Sequence, residues 1–513
     1  MLSQRGQVSD PAGNIRPSVP PGLGETLEYA QTKVGELPLG ELRAAGVHRT
    51  PLEYYLVGTY PPLKYLRDIE EDEVYAGLTP SQNLYLHLPF CEQYCTFCHF
   101  YKEIRADAGR VDRYLAALRE EITLAAARAP GGFTASSVYF GGGTPSYLDA
   151  AQLDGLFAHL WRHVRTGGDT EITFELHPGV VRRPDYEDRL DAIAAGGVNR
   201  WVFGIQSMDE QVLATLNRGH GRAEVYRLLE LLAARDVRDL NVDLIFGLPS
   251  QTVENWYATL VELLAAGIEK FNIFPLMFKR SDPITRHYIR APQEFPDERE
   301  RLVMHYMAEY VLGHAGFTRG PVFYYSRRGE HSRQQRNKFD SIEADNLVGL
   351  GVSSFGYIGG TQYYNLCDNS AYMAAVAAGR TGVWRGHTLS AEERVRRAVM
   401  FGIRSGGVDF GALRDAFGVD GTELFAAELR RLRALGLVEV DGAHLALTDL
   451  GGAFVDGIGH LFASDEVRAR VAEANERIES PASDPVDRHD YSPIGRLDLP
   501  GGIEDRHRDR AVR

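Results

Sequence analysis

Hydrophobic and polar positions alternate along this chain in a way that changes near residues 83 and 385. Between these points, short apolar runs that alternate like strands are followed by longer segments with apolar residues at helical spacing. The predicted strands are residues 84–88, 137–140, 171–176, 199–205, 242–246, 271–275 and 347–351, and the clearest helices are 111–128, 152–164 and 297–312. Such alternation implies parallel pairing with right-handed crossovers. We therefore predict an α/β fold with a complete or partial (β/α) barrel over residues 83–384.

The segments that flank this core have a different pattern. Residues 1–25 are rich in proline, glycine and polar residues, so we predict disorder there, followed by an N-terminal extension over residues 26–82 that contributes to the active site. Helices at 391–402, 409–417 and 421–435, with a hairpin at 438–447, resemble a small winged-helix domain over residues 385–464. Residues 465–513 carry many charges and prolines, and we predict a mobile tail.

Composition narrows the class of protein. The 513 residues are too many for one ordinary core, and 44% hydrophobic with 25% charged residues is typical of a soluble globular protein. The net charge of −14 argues against a nucleic-acid partner. No apolar run reaches the roughly 18 residues of a membrane helix, and the first residues lack the apolar centre of a signal peptide. We expect a cytoplasmic protein with no membrane partner.

Three of the four cysteines lie within eight positions, directly after the first core strand: Cys91, Cys95 and Cys98. In a reducing compartment such density indicates metal binding or catalysis rather than disulfides. Three thiolates leave one iron of a [4Fe-4S] cluster without a protein ligand, which is what a substrate needs to coordinate metal. The alternatives are a zinc site with His99 as fourth ligand, or unrelated buried cysteines. Cys367 stands alone and is interpreted as structural.

The run from Leu84 to Cys91, with Cys95 and Cys98, resembles one branch of the radical S-adenosylmethionine (SAM) superfamily. That branch contains oxygen-independent coproporphyrinogen III oxidase, a heme chaperone, anaerobic heme-degrading enzymes, and methyltransferases and cyclopropane-forming enzymes. The resemblance extends from about residue 60 to about residue 462. It implies that the three cysteines hold a [4Fe-4S] cluster and that SAM chelates its open iron. An electron from a low-potential flavodoxin or ferredoxin would then cleave SAM to a 5′-deoxyadenosyl radical.

The resemblance also implies a set of cofactor contacts at the carboxyl ends of the strands, where barrel enzymes collect their reactive groups. The glycine-rich segment 141–145 would bind the SAM amino group, and its glycines are expected to admit a ligand closely and to expose N–H groups. The implied contacts with SAM are Tyr85, Phe97, Gly142, Gly143, Thr144, Glu175, Gln206, Arg218 and Asp243. For a second SAM molecule they are Gly351 and Phe355.

Three functions remain open, each with a small-molecule partner that is a natural product or a tetrapyrrole. The run Cys98, His99 and Phe100 is most similar to relatives that use two SAM molecules, so the first hypothesis is methyl or methylene transfer, including cyclopropane formation. The second is coproporphyrinogen oxidase-like decarboxylation or anaerobic heme or porphyrin modification. In the oxidase a further cysteine occupies the position of Phe100, and its porphyrinogen carboxylates would favour basic contacts. Candidates for those contacts are Arg327, Arg328, Arg333 and Arg336. The third hypothesis is a non-catalytic heme chaperone.

Overall fold

The N-terminal extension packs on the core rather than standing apart from it. The computed structural model describes residues 19–47, 49, 58–129, 131–279, 282–321, 323–340, 346–477 and 486. The extension contains α1 (Leu23–Gly35), α2 (Leu39–Ala44), β1 (Arg67–Asp68) and α3 (Glu71–Tyr75). The ring of Tyr29 on α1 stacks on that of Tyr310 with centroids 4.1 Å apart, and Tyr310 donates to Glu25. The first helix therefore begins inside the segment 1–25 that was predicted to be disordered, and residues 1–18 lie outside the described residues.

The predicted strand–helix alternation forms the parallel centre of one large sheet. Its strands, with the short pair at the cysteine loop, are β2 (Ser81–Leu88), β3 (Phe90–Cys91), β4 (Glu103–Ile104), β5 (Phe133–Gly142), β6 (Val164–Leu176), β7 (Arg200–Gln206), β8 (Leu240–Phe246) and β9 (Lys270–Pro275). The helices are α4 (Ala108–Arg128), α5 (Ala150–His163), α6 (Tyr186–Ala195), α7 (Glu210–Thr215), α8 (Arg222–Ala233) and α9 (Val253–Ala265). β2 and β5 to β9 lie side by side in chain order, and every neighbouring pair is parallel. The prediction of parallel pairing is confirmed for these strands.

Antiparallel strands that the sequence did not predict extend the sheet at both edges. The remaining elements of the core are α10 (Pro283–Arg290), α11 (Glu298–His314), β10 (Thr318–Arg319), β11 (Tyr324–Ser326), α12 (Arg333–Asp340), β12 (Leu347–Leu350), β13 (Phe355–Ile358), β14 (Thr361–Asn365), α13 (Asn369–Ala377) and β15 (Val383–Thr388). The full order is β1-β15-β14-β13-β12-β2-β5-β6-β7-β8-β9-β11-β10. The series was expected to end near residue 351, but β13, β14 and β15 continue it as a meander. Because β1 and β10 are edges, the barrel is partial.

The period of two along each strand separates the interior of the barrel from its helical layer. Leu84, Leu86 and Leu88 on β2 are fully buried against the helices. Tyr85 therefore points the opposite way, and it pairs in register with Tyr139 on β5. The interior face thus carries polar and aromatic side chains, while the outer face holds the aliphatic core.

The C-terminal part follows the core as a separate small sheet with helices. It contains α14 (Ala391–Gly402), β16 (Gly407–Asp409), α15 (Phe410–Phe417), α16 (Gly421–Leu424), α17 (Ala426–Ala434), β17 (Val438–Asp441), β18 (His444–Leu447), α18 (Asp449–Gly452), α19 (Val455–His460) and α20 (Asp465–Arg477). The predicted hairpin is β17 paired with β18, and β16 completes a three-stranded sheet. The expected tail begins with α20, on which Val467 and Val471 are buried. Among the described residues, no helix is both long and apolar enough to cross a membrane.

Candidate active site

The cysteine loop leaves the carboxyl end of β2 and is held at both ends. Cys91 ends β3, which pairs with β4 through Phe90 and Glu103. In the middle of the loop, the Thr96 amide donates to the carbonyl oxygen of Leu216 over 3.1 Å. Cys91 and Cys95 are buried and Cys98 is half-buried. The loop is therefore fixed at the end of the barrel where the sequence predicted reactive groups.

The three thiols share one poorly hydrated environment. Burial raises the pKa of Cys91 to about 12, and the neighbouring Cys98 and Cys95 raise it further. Burial likewise raises the pKa of Cys98. Thiols with such raised pKa values lose their protons near neutral pH only when a metal ion binds the sulfurs. Three thiolate ligands suit an iron–sulfur cluster. The described residues contain no group of three ligand side chains within reach of a single metal ion, and a four-iron cluster separates its ligands more widely.

Two polar side chains touch the cysteine sulfurs. Arg218 Nη1 lies 3.2 Å from Cys95 Sγ, and Thr144 Oγ1 lies 3.4 Å from Cys91 Sγ. Both residues were predicted SAM contacts, and both reach the cluster ligands directly. A cation and a hydroxyl at these distances stabilise the charge of bound thiolates.

The glycine-rich turn after β5 packs against the cysteine loop without space for side chains. Gly142 has φ +112°, and a Cβ on it would lie 2.7 Å from the ring of His87. The amide of Gly143 donates to the carbonyl oxygen of Leu88 over 2.9 Å, and that of Thr144 to the carbonyl oxygen of Phe90 over 2.8 Å. The expectation of exposed N–H groups here is wrong, because the main chain of the cysteine loop takes them. An amino group is a donor, so the carbonyl oxygens of this turn and the Thr144 hydroxyl oxygen, rather than its amides, would receive it.

Two carboxylates project inward from β6 and β8, the strands on either side of β7. Glu175 on β6 accepts a 2.7 Å hydrogen bond from Tyr139, and Asp243 on β8 accepts a 2.6 Å bond from Asn272. Burial raises the pKa of Glu175 to about 7, and the charge of Asp243 adds to that rise. Burial also raises the pKa of Asp243 to about 6. Hydroxyl groups of a bound ligand are suitable donors to these acceptors in a site that water reaches poorly.

Gln206, Arg218 and Phe97 form one group between β7 and the cysteine loop. Gln206 ends β7 with φ +70°, and its amide nitrogen lies 2.6 Å from the position that a Cβ on Gly204 would occupy. Arg218 donates to the carbonyl oxygen of Gly204 over 2.5 Å, and its guanidinium lies 5.8 Å from the Phe97 ring centroid. Arg218 Nε is buried without a hydrogen-bond partner. An acceptor on a bound ligand would satisfy this nitrogen.

Of the three remaining candidates, the two aromatic residues contact the site and the glycine does not. The Tyr85 hydroxyl oxygen lies 3.1 Å from His87 Nδ1, and the Tyr85 ring stacks with that of Phe355 at 6.2 Å between centroids. Phe355 therefore lies with the side chains that face the interior of the barrel. The amide of Gly351 instead donates to Glu121 over 2.6 Å, and a Cβ there would lie 2.5 Å from the Tyr114 hydroxyl. Gly351 is packed against α4 and is not brought together with the other candidates.

The sequence did not indicate three residues that face the interior of the barrel: His87, Tyr139 and Asn272. His87 Nε2 lies 3.1 Å from the carbonyl oxygen of Tyr101, and burial lowers the pKa of its ring to about 4. The neutral ring therefore donates to that oxygen and accepts from the Tyr85 hydroxyl. Strand alternation could have shown His87 and Tyr139, because each lies two residues from a position on the inward face. Asn272 had no such signal, since its role depends on the neighbouring strand.

Comparisons with known proteins agree with this architecture. A family model described as the radical SAM superfamily matches residues 85–263, and one described as the HemN C-terminal domain matches residues 389–454. The oxygen-independent coproporphyrinogen III oxidase of Salmonella typhimurium is 30% identical over 397 residues, which cover 74% of this chain and 85% of that protein. The heme chaperone HemW of Mycobacterium tuberculosis is 29% identical over 74% of this chain and 96% of its own length. The solved structure of coproporphyrinogen III oxidase (HemN) from Escherichia coli superposes with a TM-score of 0.70 at 25% identity, covering 84% of this chain and 99% of that one.

A partial parallel barrel with three cysteines at the mouth of its first strand defines the class of radical SAM proteins, whose family implies a [4Fe-4S] cluster and SAM. Within that class, this chain belongs to the family of oxygen-independent coproporphyrinogen III oxidase and the heme chaperone HemW. The resemblance inferred from the sequence is confirmed. The HemN C-terminal domain match lies inside residues 385–464, where the sequence predicted a separate domain.

Proposed function

We propose that this chain is a radical SAM enzyme that acts on a tetrapyrrole of the coproporphyrinogen type. The observation that carries the proposal is the likeness to coproporphyrinogen III oxidase over nearly the whole of that protein, in sequence and in fold. Cys91, Cys95 and Cys98 would hold the cluster. When bound, the cluster and SAM supply one-electron chemistry that ends in removal of a hydrogen atom from a substrate carbon.

The interior residues would orient SAM and keep water away from it. Glu175 and Asp243 accept ribose hydroxyls, and Tyr139 holds Glu175 in place through its hydrogen bond. The carbonyl oxygens of the glycine turn accept from the amino group. Arg218 contacts Cys95 and directs its unpartnered Nε toward a ligand acceptor. Burial of this group strengthens each contact, because few water molecules compete.

Oxidative decarboxylation is the reaction that the family likeness supports best. In such a step a hydrogen atom leaves the carbon next to the ring of a propionate side chain. Loss of carbon dioxide, with transfer of one further electron to an external one-electron acceptor, then leaves a vinyl group. The chain's task is to place that carbon against SAM and to hold the carboxylates of the substrate.

Methyl or methylene transfer with a second SAM molecule is the second candidate. Two observations favour it. Phe100 stands where the oxidase has a further cysteine. Phe355, a candidate contact for a second SAM molecule, stacks on Tyr85, a candidate contact for the first. The relatives and the solved structure reported above are a coproporphyrinogen III oxidase and a heme chaperone, and they do not add support to it. A heme chaperone is the third candidate, supported by the likeness to HemW.

One anaerobic experiment separates these functions. The full chain, reconstituted with iron and sulfide, is incubated with SAM, a low-potential reductant and coproporphyrinogen III, and nucleosides and tetrapyrroles are identified by mass spectrometry. Decarboxylated product with stoichiometric 5′-deoxyadenosine and no S-adenosylhomocysteine is expected. S-adenosylhomocysteine in amounts that depend on a cell extract would move the assignment to methyl transfer. Heme binding without any SAM cleavage would move it to the chaperone. Cys91→Ala serves as the inactive control.

A further inference from the structure

Three cations lie together inside the protein where the barrel meets the C-terminal helices. This buried cation cluster consists of Lys338 on α12, with Arg397 and Arg404 on and just after α14. Lys338 Nζ lies 5.0 Å from the Phe355 ring centroid, and the Arg397 guanidinium lies 3.8 Å from that of Tyr357. Aromatic faces stabilise such cations but do not neutralise them.

The three cations differ in their partners. Arg404 forms a buried ion pair with Asp456. In the described part of the chain, no carboxylate or hydrogen-bond acceptor pairs with Arg397 or Lys338. Arg397 is only 6% exposed, and its Nε is buried without a partner. An uncompensated charge at a position as buried as Arg397 costs several kcal/mol or more, and an anionic ligand would offset that cost.

Loss of hydration acts on both groups in the expected direction. It lowers the pKa of Lys338 to about 7, acting together with the charges of Arg397 and Arg404. It lowers the pKa of Arg397 to about 10. An anion placed between the two cations would reverse these effects by pairing with them.

The cluster adjoins the site described above through one pair of rings. Phe355, which Lys338 contacts, stacks on Tyr85, and the charges of Glu175 and Cys98 act on the Tyr85 hydroxyl. Lys338 is half-buried, whereas Arg397 is buried. Because the Phe355 ring is close to both the Lys338 ammonium group and the Tyr85 ring, the cluster borders the group of side chains proposed to hold SAM.

We propose that Lys338 and Arg397 bind a carboxylate of the molecule that occupies the barrel interior. The assignment of that carboxylate to the substrate rests on the proposed function, in which the substrate is a tetrapyrrole with propionate side chains. The other source of the same chemistry is the carboxylate of a second SAM molecule. Two of the four arginines predicted from the sequence for this role are already paired at the surface, Arg328 with Glu269 and Arg333 with Asp169.

Equilibrium binding tests the proposal without turnover. Coproporphyrin III, which carries four propionates, and its tetramethyl ester, which carries no free carboxylate, are titrated by fluorescence into the cluster-containing full chain. The number of SAM molecules bound per chain is measured separately by dialysis. The variants are Arg397→Met and Lys338→Met, and the control is Arg430→Gln, which removes an exposed charge of the same C-terminal domain.

Each methionine variant is expected to bind coproporphyrin III about 10-fold more weakly or worse, the loss of one charge-assisted hydrogen bond, while the control and ester binding stay unchanged. If SAM stoichiometry falls instead and porphyrin binding does not, the carboxylate belongs to SAM. Unchanged binding of both ligands in both variants would overturn the proposal. If the wild type binds no porphyrin, the tetrapyrrole assignment fails, and the SAM measurement alone decides the site.

Thermal unfolding of the free variants distinguishes a ligand site from a structural one. Removal of an unpaired buried charge should leave the melting temperature of Arg397→Met unchanged or higher than that of the wild type. A fall by several degrees would show that Arg397 has a structural partner, and the assignment would then be abandoned. Lys338→Met, at a less buried position, provides the same comparison if Arg397→Met does not fold.

Discussion

Single side chains in the interior acquire properties that their residue types do not have in water. Glu175 on β6 and Asp243 on β8 are carboxylates of one barrel interior, and burial raises the pKa of both. Cys91 is an ordinary thiol whose pKa burial raises to about 12, so cluster assembly must supply the cation that removes its proton. These side chains lose contact with water on folding and are placed to contact ligands instead. The two predictions that follow test this for Cys91 and Glu175.

Cys91→Ala should abolish formation of 5′-deoxyadenosine, because the cluster loses one of three iron ligands. Iron content and the visible absorbance of the cluster should fall with it, while far-ultraviolet circular dichroism stays that of the wild type. Cys367→Ala is the matched control, since Cys367 is also buried but lies outside the loop. A Cys91→Ala protein that still produced 5′-deoxyadenosine would refute the cluster assignment.

Glu175→Gln should change how stability depends on pH. The folded pKa of Glu175, about 7, lies above the usual value of 4.5, so the folded state holds this proton more tightly than the unfolded state. The contribution of Glu175 to stability is therefore fully present below pH 4.5 and is lost as the pH rises toward 7. Between pH 5 and pH 8 the variant should gain about 2–3 kcal/mol relative to the wild type, measured by urea unfolding. A difference that does not vary with pH would contradict this result.

At the scale of elements, one buried carboxylate joins a helix to the antiparallel edge of the sheet. Glu121 on α4 is fully buried, and burial raises its pKa. It accepts hydrogen bonds of 2.6 to 2.9 Å from Gly351 N, Gly382 N, Asn365 Nδ2 and Tyr372 Oη. Apart from Gly351, which ends the predicted strand 347–351, these donors lie on β14, on α13 and just before β15, which the sequence did not predict. The helix thus places β12 to β15 against the parallel core.

Glu121→Ala should lower the free energy of unfolding by about 3–5 kcal/mol, because four buried donors lose their common acceptor. Glu120→Ala, one position earlier on the same helix and exposed, should change it by less than about 0.5 kcal/mol. Chemical denaturation of both variants makes the comparison. Equal effects would mean that helix propensity, and not the hydrogen-bond network, dominates.

At the scale of the whole molecule, the N-terminal extension and the C-terminal part meet beside the barrel. Tyr65 from the N-terminal extension donates to Glu466 on α20 over 3.1 Å, and Thr59 lies 3.1 Å from the hydroxyl of Tyr364 on β14. Arg404, from the C-terminal part, places its guanidinium 5.3 Å from the Phe323 ring just before β11. These contacts connect the open edges of the sheet to the terminal segments.

Asp456→Ala should destabilise the protein by about 3–5 kcal/mol, because Arg404 then remains charged and unpaired beside Lys338 and Arg397. The double variant Arg404→Met with Asp456→Leu should recover most of that loss, since it removes both charges and fills similar volume. Differential scanning calorimetry at matched protein concentration gives the comparison. A double variant as unstable as Asp456→Ala would show that packing, rather than charge, accounts for the effect.

The sequence by itself determined the parallel core, the cysteine loop and the family, because these depend on local spacing: periods of two and 3.6, and three cysteines within eight positions. It also led to Glu175, one residue before the end of β6, and to Asp243, in the middle of β8. Only the tertiary structure decided that the amides of Gly143 and Thr144 are already paired, that Gly351 serves Glu121, and that the last strands form an antiparallel meander. Those facts depend on residues far apart in the chain whose hydrogen bonds and charges can be satisfied only once the fold has brought them together.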